Sequence, residues 1–191
     1  MTPVVTPPMR KGKVPPFYDL GEMPFQEFCR DLLDDLGHYK DCRIFGIRGQ
    51  KQYGIDIRCI KNDGGLDVVQ CKCYKDFTDD DIEQASNDFV PYIEDWLSKG
   101  VKRFILIVAC PVETTQGIDQ MDIETKRFEE FGIQYELWDA VKLRYFLRDL
   151  PKVVRTHIHP ADHWVKELCG DQYMSAYDSK NSYGVNLVTN T

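Results

Sequence analysis

The 191-residue sequence lacks any apolar run close to the roughly 18 residues that a membrane-spanning helix needs. Its first sixteen residues, MTPVVTPPMRKGKVPP, also contain no apolar stretch of signal-peptide length, so nothing in them indicates export. From these two absences we expect a cytoplasmic protein with no membrane partner.

The sequence also lacks a Cys-x-x-Cys pair, and its seven cysteines are an odd number. Cys59, Cys71, Cys73 and Cys110 lie within apolar, strand-like segments. A buried reduced thiol behaves as a small hydrophobic side chain. The pattern therefore favours reduced cysteines over a disulfide or zinc framework.

Signatures of two common enzyme classes are missing as well. No glycine-rich phosphate loop is present, so we do not expect the chain to bind ATP. No nucleophile elbow and no identifiable Cys–His pairing occur, which argues against a serine or cysteine hydrolase.

The formal net charge of −7 argues weakly against a nucleic-acid partner, because phosphate binding depends on Lys and Arg. The charges are unevenly distributed, however. Residues 40–61 contain six basic and two acidic residues, whereas acidic residues concentrate elsewhere, as in DFTDDDIE at 76–83. This segregation fits a local basic patch on an acidic protein, or simply a solvated face.

Three regions can be distinguished along the chain. Residues 1–17 are basic and proline-rich, with five of the ten prolines in the first sixteen positions, and we predict a flexible arm. Residues 18–150 have the periodicity of a folded domain. Residues 151–191 end in a polar, unpatterned stretch and are predicted to be an extension or a linker to a further domain.

Within the predicted domain, helical and strand periodicities alternate. The predicted strands are 42–47, 54–60, 66–74, 103–110 and 133–138, and the predicted helices are 25–36, 79–96, 118–131 and 140–150. The run RFILIVAC at 103–110 is continuously apolar, which is typical of a strand covered on both faces. This order predicts an α/β fold with a mixed central sheet flanked by helices.

The strands at 54–60 and 66–74 carry the most informative pattern. If Ile60 lies opposite Leu66 across the intervening turn, Asp56 faces Gln70 and Gly54 faces Lys72. Side chains alternate along a strand, so a polar set and an apolar set are predicted on opposite faces. The polar set is Asp56, Gln70 and Lys72, and the apolar set is Ile55, Ile57, Val69, Cys71 and Cys73.

The polar set suits phosphodiester hydrolysis with a hard cation. Asp56 offers a carboxylate oxygen, Gln70 an amide oxygen, and Cys71 a main-chain carbonyl, all of which Mg²⁺ accepts as ligands. Lys72 offers an ammonium group to orient water and stabilise negative charge, beside a glycine that leaves open space. Each residue taken alone also has an ordinary structural interpretation.

The motifs GIDI at 54–57 and VVQCKCY at 68–74 resemble those of Mrr-type restriction endonucleases in the PD-(D/E)XK superfamily. In that branch Gln commonly replaces the acidic residue of the third motif, as Gln70 does here. The resemblance covers roughly residues 22–150 and extends to GIRGQKQYGIDI and to ILIVACP followed by a helix and IQYELWD. It implies a restriction-endonuclease-like αβββαβ core.

The resemblance also implies further site residues. The family's first-helix acid corresponds to Glu27, with Glu22 as the competing candidate and a solvated helix face as the structural alternative. Arg48, Gln50 and Lys51 precede the strand of Asp56 and are expected to contact the DNA backbone, unless they are ordinary surface residues.

The function that follows from the resemblance is Mg²⁺-dependent DNA endonuclease activity, with Mn²⁺ expected to substitute, in restriction or anti-phage defence. Such domains act as homo-oligomers or fused to a sensor or assembly domain. The alternatives are a resolvase or repair nuclease, an RNA-cutting enzyme, and a catalytically silent nuclease-fold module. A zinc site at His157, His159 and His163, with Cys169 nearby, is a separate possibility that no motif supports.

Overall fold

A five-stranded mixed sheet forms the centre of the computed structural model, which describes residues 13–46 and 52–174. The strands lie in chain order across the sheet. The first three pair antiparallel and the last three pair parallel. Their bounds are β1 Tyr39–Ile44, β2 Ile57–Lys61, β3 Leu66–Lys72, β4 Val101–Val108 and β5 Gln134–Trp138. The predicted α/β class with a mixed sheet flanked by helices is confirmed.

Seven α-helices are present in the described residues: α1 Glu22–Asp35, α2 Asp79–Phe89, α3 Ile93–Ser98, α4 Thr115–Glu129, α5 Ala140–Phe146, α6 Pro151–His157 and α7 Ala161–Leu168. The helix predicted over 79–96 is divided into α2 and α3 by a 3₁₀ turn, Val90–Tyr92. Pro91 lies in that turn and has no N–H to continue an α-helical ladder. At the other end of α2, Thr78 and Asp81 form a reciprocal capping box.

The sheet separates two hydrophobic clusters. Alternation along β3 sends Val69 and Cys73 to one cluster, with α1 and α5–α7, and Leu66 and Val68 to the other, with α2–α4. Strand β4 contributes buried side chains to both clusters, so the predicted double coverage of this strand is confirmed: Ile105 and Ile107 on one side, Phe104, Leu106 and Val108 on the other.

One member of the predicted apolar set lies on the other side of the sheet. Ile55 packs in the cluster with α2–α4, whereas Ile57 packs with α1. Regular strand geometry begins only at Ile57, and the backbone at Tyr53 and Gly54 has positive φ angles of 53° and 75°. Alternation of side chains applies only to extended backbone, so it does not reach Ile55.

The chain after residue 150 belongs to the same hydrophobic core, which differs from the predicted division at that point. Pro151 begins α6, which packs beside α1, and α7 packs against α6. Seven of these later residues are buried: Val153, Val154, Ile158, Trp164, Val165, Leu168 and Cys169. Phe17, placed at the end of the predicted arm, is also buried, while residues 1–12 and 175–191 lie outside the described residues.

The cysteines depart from the prediction at one pair. Cys42 and Cys59 are directly opposite each other on β1 and β2, with Cα atoms 4.2 Å apart, and they form a disulfide. The prediction of reduced cysteines is therefore wrong for these two, because the pairing of β1 with β2 brings them together. The free cysteines are Cys29, Cys71, Cys73, Cys110 and Cys169.

Candidate functional site

A cavity of about 730 Å³ opens at the carboxyl end of β3, between α1 and α2. Glu22 and Gln26 of α1 line one side, and Asn87 and Asp88 of α2 line another. The remaining wall consists of residues 52–56, before β2, residues 70–74, at the end of β3, and Pro91 and Tyr92 of the 3₁₀ turn after α2. No helix in residues 13–46 and 52–174 is long and apolar enough to span a membrane.

Asp56, Gln70 and Lys72 all line this cavity, so the structure brings the predicted polar set together. The predicted register is confirmed where β2 and β3 pair, because Ile60 is opposite Leu66. Asp56 precedes β2, and its main-chain N–H donates to the Val69 carbonyl at 2.8 Å. This contact extends the pairing by one residue and holds Asp56 beside the end of β3.

Both carboxylate oxygens of Asp56 accept hydrogen bonds. The main-chain N–H of Cys71 donates to Oδ2 at 2.7 Å, and Nε2 of Gln26 donates to Oδ1 at 3.1 Å. Burial raises the pKa of Asp56, the Cys71 N–H and the Lys72 charge act in the opposite direction, and the Glu22 charge raises it further. A cation bound next to Asp56 would favour the ionised carboxylate.

Gln70 has an unusual environment for an amide side chain. It is 6% exposed, and its Oε1 atom is buried without a hydrogen-bond partner among the described residues. A buried amide oxygen without a partner costs free energy, and most such atoms in native proteins have one. The Oε1 atom therefore has an unused acceptor position on a residue that lines the same cavity as Asp56, which suits a cation ligand.

Cys71 contributes its main chain to the site, since burial strongly raises the pKa of its thiol and disfavours the thiolate. The role of its carbonyl as a metal ligand remains a prediction. No group of three His, Cys, Asp or Glu side chains suited to a metal occurs in the part of the chain that the structure describes. The available donor set at the cavity is instead carboxylate, amide and main-chain carbonyl oxygen, which is the oxygen-rich chemistry of Mg²⁺.

Lys72 is held by a residue that the sequence reasoning missed. Its Nζ lies 3.2 Å from Oδ2 of Asp88, and the Lys72 side chain is 19% exposed. Asp88 is in α2 and is itself contacted by Gln84, whose Nε2 donates to Oδ1 at 2.9 Å. No local pattern in the sequence identifies Asp88, because its significance depends on where α2 packs.

Gly54 does not leave open space opposite Lys72, contrary to the prediction. A Cβ atom at this position would lie 2.6 Å from the Asp88 carbonyl oxygen and 2.7 Å from the Phe89 Cα. The residue also has a φ angle of 75°, a backbone conformation that is unfavourable for residues with a Cβ atom. Gly54 is therefore required for the close approach of the Asp56 segment to α2.

We expect Gly54→Ala to lower the free energy of unfolding by about 3 kcal/mol, because backbone strain and a clash with α2 act together. Gly64→Ala is the matched control, since Gly64 has a φ angle of 89° but nothing within 4 Å of an added Cβ. The control isolates backbone strain and should cost about 1 kcal/mol. Urea unfolding measures both values, and equal losses would contradict the close contact.

The acid of α1 at the cavity is Glu22, the alternative candidate, and not Glu27. Glu27 is exposed and is not among the lining residues, whereas Glu22 and Gln26 are four residues apart and share a helix face. Helix α1 begins at Glu22, with Pro24 tolerated in its first turn, so Pro24 does not exclude Glu22 from the helix. Gln26, which touches Asp56, was not predicted.

The remaining predicted residues do not add to the cavity. Arg48, Gln50 and Lys51, the predicted DNA contacts, lie outside the described residues. His157 pairs with Asp31, with Nε2 and Oδ2 2.7 Å apart, and it packs against the ring of Phe28. His157 thus has a packing role beside α1, and the described residues of this segment contain no group of three His or Cys side chains suited to zinc.

The charges that line the cavity are three carboxylates, Glu22, Asp56 and Asp88, and one ammonium group, Lys72. When all four are ionised, the cavity repels a phosphate group unless a cation is also bound. A divalent cation would offset the excess negative charge. The charge balance therefore fits a metal-dependent site better than direct anion binding.

No protein-family model matches the chain, and no curated protein matches it.

Proposed function

We propose that the chain is a Mg²⁺-dependent endonuclease that hydrolyses DNA phosphodiester bonds at this cavity, with the restriction-endonuclease-like αβββαβ core. The single observation that carries the proposal is the meeting of Asp56, Gln70 and Lys72 in one cavity, with Gln70 Oε1 buried and unpartnered among the described residues. The order α1–β1–β2–β3–α2–α3–β4, in which α2 and α3 together take the place of one helix, agrees with such a core.

Asp56, Gln70 and the Cys71 carbonyl would hold the cation. When bound, Mg²⁺ supplies charge stabilisation at the phosphate and makes a water molecule more acidic. Gln26 and the Cys71 N–H orient the Asp56 carboxylate. Mn²⁺ is expected to substitute because it accepts the same oxygen ligands.

Lys72 supplies the fixed positive charge of the mechanism. Its ammonium group donates hydrogen bonds to the attacking water or to a phosphate oxygen and stabilises the negative charge that develops there. A mostly buried ammonium group at a fixed position needs little rearrangement during the reaction. Restriction or anti-phage defence, in a homo-oligomer or beside a sensor domain, is the setting that we propose for this activity.

A catalytically silent nuclease-fold module is the second candidate. It is favoured by the contacts of Asp56, because both carboxylate oxygens already accept hydrogen bonds and the α1 partner is an amide, not an acid. Such a module would bind nucleic acid or support assembly without cleaving it.

The test is incubation of the purified protein with supercoiled plasmid and Mg²⁺, with and without EDTA. We expect nicked or linear product with Mg²⁺ or Mn²⁺ and none with EDTA. Asp56→Asn, purified in parallel, controls for contaminating nucleases. Cleavage that persists in Asp56→Asn, or its absence from the wild type on every substrate, would reject the proposal.

The choice of substrate separates the related enzymes. Linear duplex, branched DNA, single-stranded DNA and RNA are compared at equal nucleotide concentration. Preference for branched DNA would identify a resolvase or repair nuclease, and cleavage of RNA alone would exclude the DNA endonuclease.

A further inference from the structure

We propose that Asp88 of α2 is a positioning residue for Lys72: its carboxylate holds the Lys72 ammonium group in place at the cavity. This inference rests on the proposed nuclease function. It adds α2, which carries none of the predicted site residues, to the elements that build the site.

Lys72 and Asp88 form an ion pair at the edge of the cavity. Lys72 Nζ and Asp88 Oδ2 are 3.2 Å apart, and their side chains are 19% and 39% exposed. A lysine side chain has a flexible four-carbon stem and many available rotamers. A carboxylate at hydrogen-bond distance selects a narrow set of these rotamers, which is what a group acting on one phosphate oxygen requires.

The Asp88 carboxylate is itself held in place by Gln84. Gln84 lies one helical turn earlier, and its Nε2 donates to Oδ1 of Asp88 at 2.9 Å. One carboxylate oxygen thus receives Gln84 and the other receives Lys72. Gln84, Asp88 and Lys72 form a continuous chain of contacts from the surface of α2 to the cavity.

The main chain of Asp88 also lies close to the segment that carries Asp56. The main-chain carbonyl of Asp88 lies against Gly54, where an added Cβ would be only 2.6 Å from the oxygen. Asp56 follows two residues later. The main chain of Asp88 therefore limits where Asp56 lies, while its side chain fixes Lys72. The spacing between acid and ammonium group depends on this one residue of α2.

The pair is partly open to solvent, so it contributes little to the stability of the fold. Asn is close to Asp in size, so the Asp88→Asn variant should remain folded. Glu83→Gln is the matched control, because Glu83 is an exposed acid of the same helix and does not line the cavity.

The kinetic test uses the full chain. We expect Asp88→Asn to lower kcat for metal-dependent cleavage about tenfold, with KM nearly unchanged, because a misplaced catalytic group slows the chemical step. In a Lys72→Ala background the same substitution should have no further effect. Glu83→Gln should retain the wild-type rate. An unchanged or raised kcat in Asp88→Asn would overturn the proposal. So would an equal loss of kcat when Asp88→Asn is made in the Lys72→Ala background.

A second test does not depend on activity. Lys72 is acetylated with an amine-reactive reagent, and the rate at this site is followed by mass spectrometry of tryptic peptides. We expect faster labelling of Lys72 in Asp88→Asn than in the wild type or in Glu83→Gln. Equal rates in all three proteins would overturn the proposal. If Lys72 is labelled more slowly in the wild type than in Asp88→Asn but the wild type cleaves no substrate, the nuclease function alone would be rejected.

Discussion

Replacing Lys72 with alanine is expected to reduce metal-dependent DNA cleavage by about 10²–10³-fold, the effect of removing one preorganised group that stabilises transition-state charge. The ammonium group is the only cation among the described residues that line the cavity. Lys72→Arg should retain little of the cleavage activity, because a planar guanidinium group differs from an ammonium group in shape and hydrogen-bond geometry. Initial rates on plasmid at saturating Mg²⁺ measure the loss.

The fold should survive this substitution. Removal of Lys72 leaves Oδ2 of Asp88 without its ion-pair partner, but the Asp88 side chain is 39% exposed and can be hydrated. Thermal unfolding of Lys72→Ala should therefore resemble that of the wild type. A variant that cleaves at the wild-type rate would remove Lys72 from the mechanism.

A chain that ends at Leu150 is expected to lose cooperative folding. It would lack seven buried residues, from Val153 to Cys169, that belong to the same hydrophobic cluster as α1. Large apolar side chains in a core each contribute about 2–5 kcal/mol, and a whole domain has a stability of only about 5–15 kcal/mol. Loss of α6 and α7 therefore exceeds what the remaining core can supply. Circular dichroism and urea titration of the shortened chain measure this outcome.

A single substitution tests the same packing more gently. Trp164 is 7% exposed in α7, and we expect Trp164→Ala to cost about 3–5 kcal/mol. Glu167→Ala is the control, because Glu167 is exposed on the same helix and should change stability by less than about 0.5 kcal/mol. Two results together would place the domain boundary at residue 150. The shortened chain would unfold cooperatively, and Trp164→Ala would lower the free energy of unfolding by no more than Glu167→Ala does.

The sequence predicted the sheet and its central hairpin well because these features depend on local patterns. The continuous apolar run of β4 and the turn between β2 and β3 are readable from neighbouring residues. Fixing Ile60 opposite Leu66 was sufficient to bring Asp56, Gln70 and Lys72 together. The prediction failed at Ile55, where positive φ angles interrupt the strand geometry that the pattern assumes.

The α1 residues at the site show why a motif alone was insufficient. The family resemblance predicts Glu27 as the acid of the first helix, yet the helix turns this residue outward. Gln26, one residue earlier, reaches Asp56 across a separation of 30 residues. One position along a helix rotates a side chain by about 100°, so residue type cannot replace knowledge of which face is buried.

The sequence by itself determined the pairing of β2 with β3 and the polar face at the end of β3, because side-chain alternation and hairpin register are set by neighbours along the chain. Only the tertiary structure decided that Gln26 and Glu22 complete the wall, that Asp88 holds Lys72, and that α6 and α7 close the core. These contacts join elements that are far apart in the chain. They depend on how helices pack on the sheet, and no local periodicity specifies that packing.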